Sequence, residues 1–277
     1  LSLNTQLVAT DDLSWDLNVN FSRNINKVTE LDDQILSTSG APKHVTREGS
    51  PVGMFYGFQV EGFYNSEEEI DQHIPNGEAI PGAWRLRDVN DDGQIQPFDD
   101  FVQIGNPYPS FETGINTSVR YGNLDFSLSA TGSYGAEKIQ SGREDFWNMD
   151  GVFNVSTEVK DRWRSPENPG AGELPRAIST VIHRWAKSTW VEDASTIWIR
   201  NVNLGYTLNS SNAEYINSFG ISSMRLYLSV NNVWISNTNF QNPDENLFTN
   251  DPLRPGITRN LNHPISRSFT VGTNISL

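Results

Sequence analysis

The sequence predicts an all-β protein, an antiparallel transmembrane β-barrel with long extracellular loops. Three observations carry that expectation. Several long segments alternate apolar and polar residues with period two, the pattern of strands whose two faces meet different surroundings. Short and long connections between those segments alternate strictly, as in outer-membrane barrels with short periplasmic turns and long outer loops. Mean hydropathy is -0.50, and no stretch approaches the roughly 18 consecutive apolar residues of a membrane helix. A helical membrane protein is therefore excluded. A barrel is not, because only alternate residues face lipid.

The strands are expected at 1–9, 13–28, 111–121, 124–134, 196–208, 224–236 and 267–277. Leu1, Leu3 and Leu7 read as the interior of a strand, so the chain is expected to be a piece of a longer one. In the second segment Leu13, Trp15, Leu17, Val19 and Phe21 share a face opposite Ser14, Asp16, Asn18 and Asn20. Phe111, Ile115, Val119 and Tyr121 oppose Glu112, Gly114, Asn116, Ser118 and Arg120; Leu124, Phe126, Leu128 and Ala130 oppose Asp125, Ser127, Ser129 and Thr131. Met224, Leu226, Leu228 and Val230 repeat the pattern, as do Phe269, Val271, Ile275 and Leu277. The segment 196–208 breaks it, since Ile197 and Ile199 fall opposite Trp198, Val202 and Leu204.

The connections divide by length. Residues 10–12 are a short link and Gly122-Asn123 is a two-residue hairpin turn. Long loops cover about 29–110, 135–195 and 237–266. Counting back from Leu277, the C-terminus falls on the short-turn, periplasmic side. A soluble antiparallel sandwich also alternates apolar and polar residues. Against it, several strands reach the 9–11 residues needed to cross a bilayer at a tilt. Their polar faces are Ser, Thr, Asn, Asp and Gly, with few Lys or Glu.

The first long loop holds Asp88-Val-Asn90-Asp-Asp92-Gly93-Gln94-Ile-Gln-Pro-Phe-Asp99. Side-chain oxygens stand at positions 1, 3 and 5 (Asp88, Asn90, Asp92). A glycine follows for the sharp turn, Gln94 offers a backbone carbonyl at position 7, and Asp99 a carboxylate at position 12. This is the spacing that wraps one chain around Ca²⁺, and a structural Ca²⁺ is the expected cofactor. Asp99 stands where helical sensors carry Glu, with Asp100 adjacent. The flanks read as extended, so the ion would tie down a loop and not drive a helix-pair switch.

No catalytic pattern emerges, and no enzyme is expected. His44, His73, His183 and His263 lie far apart in sequence, and the chain has no Cys. Glu67-Glu68-Glu69 after Ser66 reads as a capped helix start, and Glu144-Asp145 as a solvated acidic loop. Trp147, Trp163, Trp185, Trp190, Phe240 and Phe248 could stack on sugars or fill a loop core. A net charge of -14 argues against nucleic acid, whose phosphates require basic patches.

Taken together, several segments resemble the SusC/RagA-like TonB-dependent outer-membrane transporters. They are Pro51-Val-Gly-Met-Phe-Tyr-Gly-Phe58 with Glu61-Gly-Phe63, Asp88-Val-Asn-Asp-Asp-Gly93 and Ile104-Gly-Asn-Pro-Tyr-Pro109. Further on come Asn201-Val-Asn-Leu-Gly-Tyr-Thr-Leu208, Leu226-Tyr-Leu-Ser-Val-Asn-Asn-Val233 and the final strand. The terminal Leu277 departs from the usual closing aromatic. The resemblance covers only the C-terminal barrel portion, without signal peptide, plug or earlier strands. It implies the closing wall of a 22-stranded plugged barrel in the bacterial outer membrane. It also implies active uptake of glycans or peptides, driven by TonB and fed by a SusD-like surface lipoprotein. The implied partners are therefore that lipoprotein, TonB, the rest of the barrel and plug, outer-membrane lipid, and an oligosaccharide or peptide ligand. Two alternatives stand beside it: a soluble calcium-stabilised carbohydrate-binding module, and a related barrel serving as a scaffold for secretion or surface assembly.

Overall fold

The computed structural model describes residues 1–37, 43–73, 80–140, 146–149, 154–177, 185–209, 213–236, 251–258 and 265–277. Seven long strands form one antiparallel sheet: β1 (Ser2–Ala9), β2 (Leu13–Ser22), β9 (Phe111–Tyr121), β10 (Leu124–Tyr134), β13 (Thr196–Asn209), β14 (Ser223–Ile235) and β16 (Ser268–Ser276). Their spatial order is their chain order, so the sheet is a simple meander. The hairpin at Gly122-Asn123 stands, with Gly122 at φ 55°. One boundary is corrected: the second strand ends at Ser22, not near Val28. Past that point the chain enters the first long connection, where the Val28 N–H donates to Ser50 O.

Cross-strand register sorts the sheet into two faces. Trp15 pairs with Val119 and Val119 with Phe126; Phe126 pairs with Leu204, Leu204 with Leu228 and Leu228 with Val271. This row crosses six strands and is apolar throughout. Four of its members are exposed, Trp15 at 41%, Leu204 at 44%, Leu228 at 41% and Val271 at 82%, and Val119 and Phe126 are half-buried. Among the described residues the only buried large hydrophobic in this sheet is Trp198. A soluble sandwich would cover such a face with a second sheet; this sheet stays bare, as a lipid-facing surface does.

Two threonines and a tryptophan on the apolar face take partners within the sheet. The Thr113 and Thr117 hydroxyls donate to the Asn20 and Asp16 carbonyls of the neighbouring strand, and Trp15 Nε1 donates to Thr117 Oγ1 at 2.9 Å. Lipid offers no alternative partner, so this self-satisfaction is what the bilayer demands. At the long-connection end, Phe21, Phe111 and Tyr134 stack in a row with 5.3 Å between successive rings. That is the aromatic girdle expected at a membrane–water interface.

The phase break in the fifth long strand has a physical cause. Ser129 pairs with Asn201, yet Ala130 pairs with Ile199, so Arg200 is an extra residue in the ladder. The bulge swaps the faces of everything beyond it. Ile197 and Ile199 thereby join Val202 and Leu204 on the apolar side. The register of β14 shifts at the same level, where Asn232 takes φ 54°.

The hydrophobic core lies in the connections. The first contains β3 (Ile35–Leu36), β4 (His44–Thr46), β5 (Met54–Phe58), β6 (Val60–Phe63), α1 (Glu67–Gln72), β7 (Trp84–Leu86) and β8 (Phe101–Gly105). The second contains β11 (Glu137–Gln140) and β12 (Val191–Asp193), and the third β15 (Ile257–Thr258). What the sequence reads as three separate loops is one packed lobe. In one cluster Tyr56, Phe58, Trp84 and Phe101 pack with Trp185 of the second connection. In the other, Phe55 joins Ile139, Trp147, Trp190 and, from the third connection, Ile257. β11 pairs with β12 on one side and with β15 on the other.

Candidate functional site

Three features carry chemistry: the polar face of the sheet, the acidic loop, and a recess where the sheet meets the lobe. The polar face is an amide and hydroxyl surface. Asn201 Nδ2 donates to Asn231 Oδ1 at 2.7 Å, and Asn231 Nδ2 to Ser268 Oγ at 3.2 Å. Asn203 donates to Ser127 Oγ at 3.2 Å and to Asn201, while Asn18 donates to Asn4. Side chains of alternate residues meet across the ladder because paired positions share a face. Nearer the short-turn end, Arg225 makes a two-point pair with Asp125, Nε to Oδ1 at 2.9 Å and Nη2 to Oδ2 at 2.5 Å. The pair spans the intervening strand above Gly205, where a Cβ would collide with both partners. A groove of about 560 Å³ runs over this face, bordered by Asn18, Asn116, Ser118, Ser127, Ser129 and Asn201 among others.

In the acidic loop three of the five residues expected to bind metal, Asp88, Asn90 and Asp92, brace the local backbone with their side chains. Asp88 accepts from the N–H of Asp91 (2.9 Å) and of Gly93 (3.1 Å). Asn90 Oδ1 accepts from Asp92 N, Asp92 Oδ1 accepts from Gln94 N, and Asn90 Nδ2 reaches Asp92 Oδ2 at 3.0 Å. Such Asx turns leave further oxygen lone pairs for a cation. Left-handed backbone at Asp91 (φ 56°) and Gly93 (φ 86°) supplies the sharp bend. Asp99 is exposed. Its neighbour Asp100 is fully buried and closes the loop by accepting from Val89 N (2.8 Å) and Gln96 N (2.6 Å). Among the described residues no three His, Asp or Glu side chains converge as a preformed metal cage. The flanks are β7 and β8, extended as expected.

The loop tryptophans fill the core. Trp147, Trp163 and Trp190 are each at most 6% accessible, and Trp185 packs edge-on against Phe98 and Phe101. Phe240, Phe248, His183, His263, Glu144 and Asp145 lie outside the described residues. Ser66 caps α1 through Glu69 N at 3.2 Å, so the glutamate run is a helix start. His44, missed as a structural residue by the sequence reading, is 1% accessible, and its Nε2–H donates to the Pro255 carbonyl at 2.7 Å. Burial pushes its pKa down to about 4, so the neutral ring fastens the third connection to the first. Gly53 and Gly256 sit where a Cβ would collide with Pro255 and with Phe55 and Pro107, respectively.

The recess of about 330 Å³ lies at the long-connection end of the polar face. It is bordered by Thr131, Thr196, Trp198 and Arg200 from the sheet and by Lys138 from the lobe. The visible sequence signal for it was the charged residue at the phase break.

No protein-family model matches the chain. Over 99% of its length the chain is 29% identical to TonB-dependent receptor P3 and 30% identical to TonB-dependent receptor P26, both of Formosa agariphila, covering 28% of each. Over 76% of its length it is 24% identical to TonB-dependent receptor SusC of Bacteroides thetaiotaomicron, covering 20% of that protein. In fold it matches the RagAB peptide transporter with a TM-score of 0.73 at 18% identity, over 99% of this chain and 28% of that one. The chain thus spans between a quarter and a third of the length of the first two relatives.

Proposed function

We propose a transport role from one premise: the chain is a SusC/RagA-like TonB-dependent outer-membrane β-barrel segment, and its relatives are receptors and transporters, not enzymes. In this reading the seven-stranded sheet is the closing wall of a plugged barrel of about 22 strands. Its open edges, β1 and β16, are completed by the remainder of the protein. An open apolar sheet of this kind is otherwise a template for aggregation. The long connections face outward and the C-terminus faces the periplasm. The whole protein takes up oligosaccharides or peptides, receives them from a SusD-like surface lipoprotein, and is energised by TonB. The observation that carries the reading is the pair of opposed faces, bare apolar outside and amide-lined inside. The test is uptake of labelled oligosaccharides and peptides by cells with and without the full-length protein. Uptake should vanish on deletion and on removal of TonB, and a surface lipoprotein should co-purify in mild detergent. Uptake unchanged in both strains would sink the reading.

Structural Ca²⁺ at the acidic loop belongs to the same proposal. Asp88, Asn90 and Asp92 supply side-chain oxygens and Gln94 a carbonyl, a hard-oxygen set suited to Ca²⁺. Asp99 stands at the twelfth position, and Asp100 fixes the loop's base from within. Chelation with EGTA should raise amide exchange across 88–100 in the full-length protein. Ca²⁺ should reverse this and Mg²⁺ should not, and the D88N/D92N variant should lose the response. Exchange indifferent to chelator would leave the loop a self-braced Asx turn.

A further inference from the structure

One row of cross-strand partners on the polar face is built from asparagine and serine alone. Asn4 pairs with Asn18, Asn18 with Asn116, Asn116 with Ser129, Ser129 with Asn201, Asn201 with Asn231 and Asn231 with Ser268. The row crosses every strand of the sheet without a charge. The adjacent row toward the short turns runs from Gln6 to Thr270 through Ser118, Ser127 and Asn203, and Asp16 is its one charged member. The groove of about 560 Å³ follows the asparagine row, since Asn4, Asn18, Asn116, Ser129 and Asn201 all border it.

Each amide offers two donors and two lone pairs. Cross-strand bonds orient several of them, because Asn18 donates to Asn4, Asn201 to Asn231 and Asn231 to Ser268. Those bonds use only part of each amide's capacity. Asn116, the third rung, is exposed, and its side chain has no partner among the described residues. The direction of the row also matters. Barrel strands tilt by about 35–45° from the axis, so a row perpendicular to them is inclined to the membrane plane by the same angle. Six spacings of about 4.8 Å make it about 29 Å long, and the tilt carries it through roughly 18 Å of depth.

We propose that the asparagine row is an oblique track along the inner wall for an uncharged, hydroxyl-rich oligomer, a neutral oligosaccharide. The assignment rests on the uptake reading above and narrows its cargo to neutral glycan. Sugar hydroxyls match the row because amide and hydroxyl alike both donate and accept. A charged oligomer would meet no opposite charge along it. Rung spacing points the same way. One strand spacing is about 4.8 Å, close to the advance of one pyranose ring in an extended glycan. An extended peptide advances about 3.3 Å per residue and falls out of step with the rungs.

The test is calorimetric titration of the full-length protein with its co-purifying partner, in detergent. The probes are cellohexaose, xylohexaose, mannohexaose and maltohexaose with their trisaccharides, beside hexagalacturonate and hexaalanine. At least one neutral hexasaccharide should bind more tightly than its trisaccharide and than the acidic and peptide probes. Asn116→Ala removes no bond within the wall, and it should weaken that hexasaccharide by about fivefold to tenfold. Asn116→Ser, which keeps a donor and an acceptor, should retain most of the affinity. Preference for the acidic or peptide probe, binding of none of the four glycans, or unchanged affinity in Asn116→Ala overturns the track. Unchanged affinity with a lowered urea midpoint for Asn116→Ala would make the row a packing surface for another part of the same protein, which overturns it too. Heat-modified electrophoretic migration verifies that the variants fold. Uptake of the same probes by cells separates the two failures. TonB-dependent uptake that ignores Asn116→Ala removes the track alone, whereas uptake independent of TonB removes the transport reading.

Discussion

Replacing Gly57 with alanine should detach the second connection from the first. Gly57 lies in β5, against which residues 185–187 run directly: the Phe58 N–H donates to the Ala186 carbonyl at 2.9 Å, and Phe58 bridges Lys187. A Cβ at Gly57 would fall within the Ala186 carbonyl group. Backbone, unlike a side-chain tip, cannot swing aside, so the whole segment must retreat. Retreat leaves the buried Phe58 amide without its acceptor and breaks the packing of Trp185 against Phe101. Overpacking costs about 1–3 kcal/mol and an orphaned buried amide a similar amount. A combined local loss of about 3 kcal/mol would speed amide exchange roughly a hundredfold. Peptides covering 54–58 and 185–190 of the full-length protein should lose protection, while 124–134 in the sheet should not. Equal protection in variant and wild type would show that the two connections are held together by something else.

Leu228→Arg and Ser229→Arg should behave as opposites although they are adjacent. Leu228 sits mid-strand on the apolar face between Leu204 and Val271, and Ser229 on the amide face between Asn203 and Thr270. An arginine at mid-bilayer depth on the lipid side of a barrel costs about 2–4 kcal/mol, whereas inner-wall changes affect selectivity more than folding. Urea titrations of the full-length protein in lipid vesicles should show that loss for Leu228→Arg and little change for Ser229→Arg. The reverse order would invert the assignment of the two faces, and equal losses would remove the bilayer from the argument.

Much of the wall was legible because the bilayer imposes a local rule. Phe111–Tyr121 and Leu124–Tyr134 are strands with the bounds read from alternation, since lipid on one side and polar surroundings on the other write themselves into every second residue. The rule failed where geometry departs from two residues per repeat. At Arg200 one extra residue changes the face of Ile197 and Ile199, and periodicity alone reports a blurred strand. The end at Ser22 was missed because Ile25, beyond it in the first connection, keeps the odd-numbered parity of Leu13–Phe21 by chance.

The acidic loop was legible as a spacing, since Asx turns are made by residues two to five apart. Its innermost anchor was not, because Asp99 and Asp100 are equivalent in sequence and only packing buries Asp100. The same applies to the recess: Lys138, Trp198 and Arg200 lie as far as 62 positions apart, counting from Lys138 to Arg200.

The sequence by itself determined the strand alternation, the order of short and long connections, and a loop rich in hard oxygens. Each depends on neighbours within a few residues. Only the tertiary structure decided that three long connections share one core, that His44 fastens Pro255 across 211 positions, and that a bulge aims Arg200 at a recess. Those outcomes depend on contacts between distant segments. They form when distant apolar surfaces are buried together, and no local periodicity encodes which surfaces will meet.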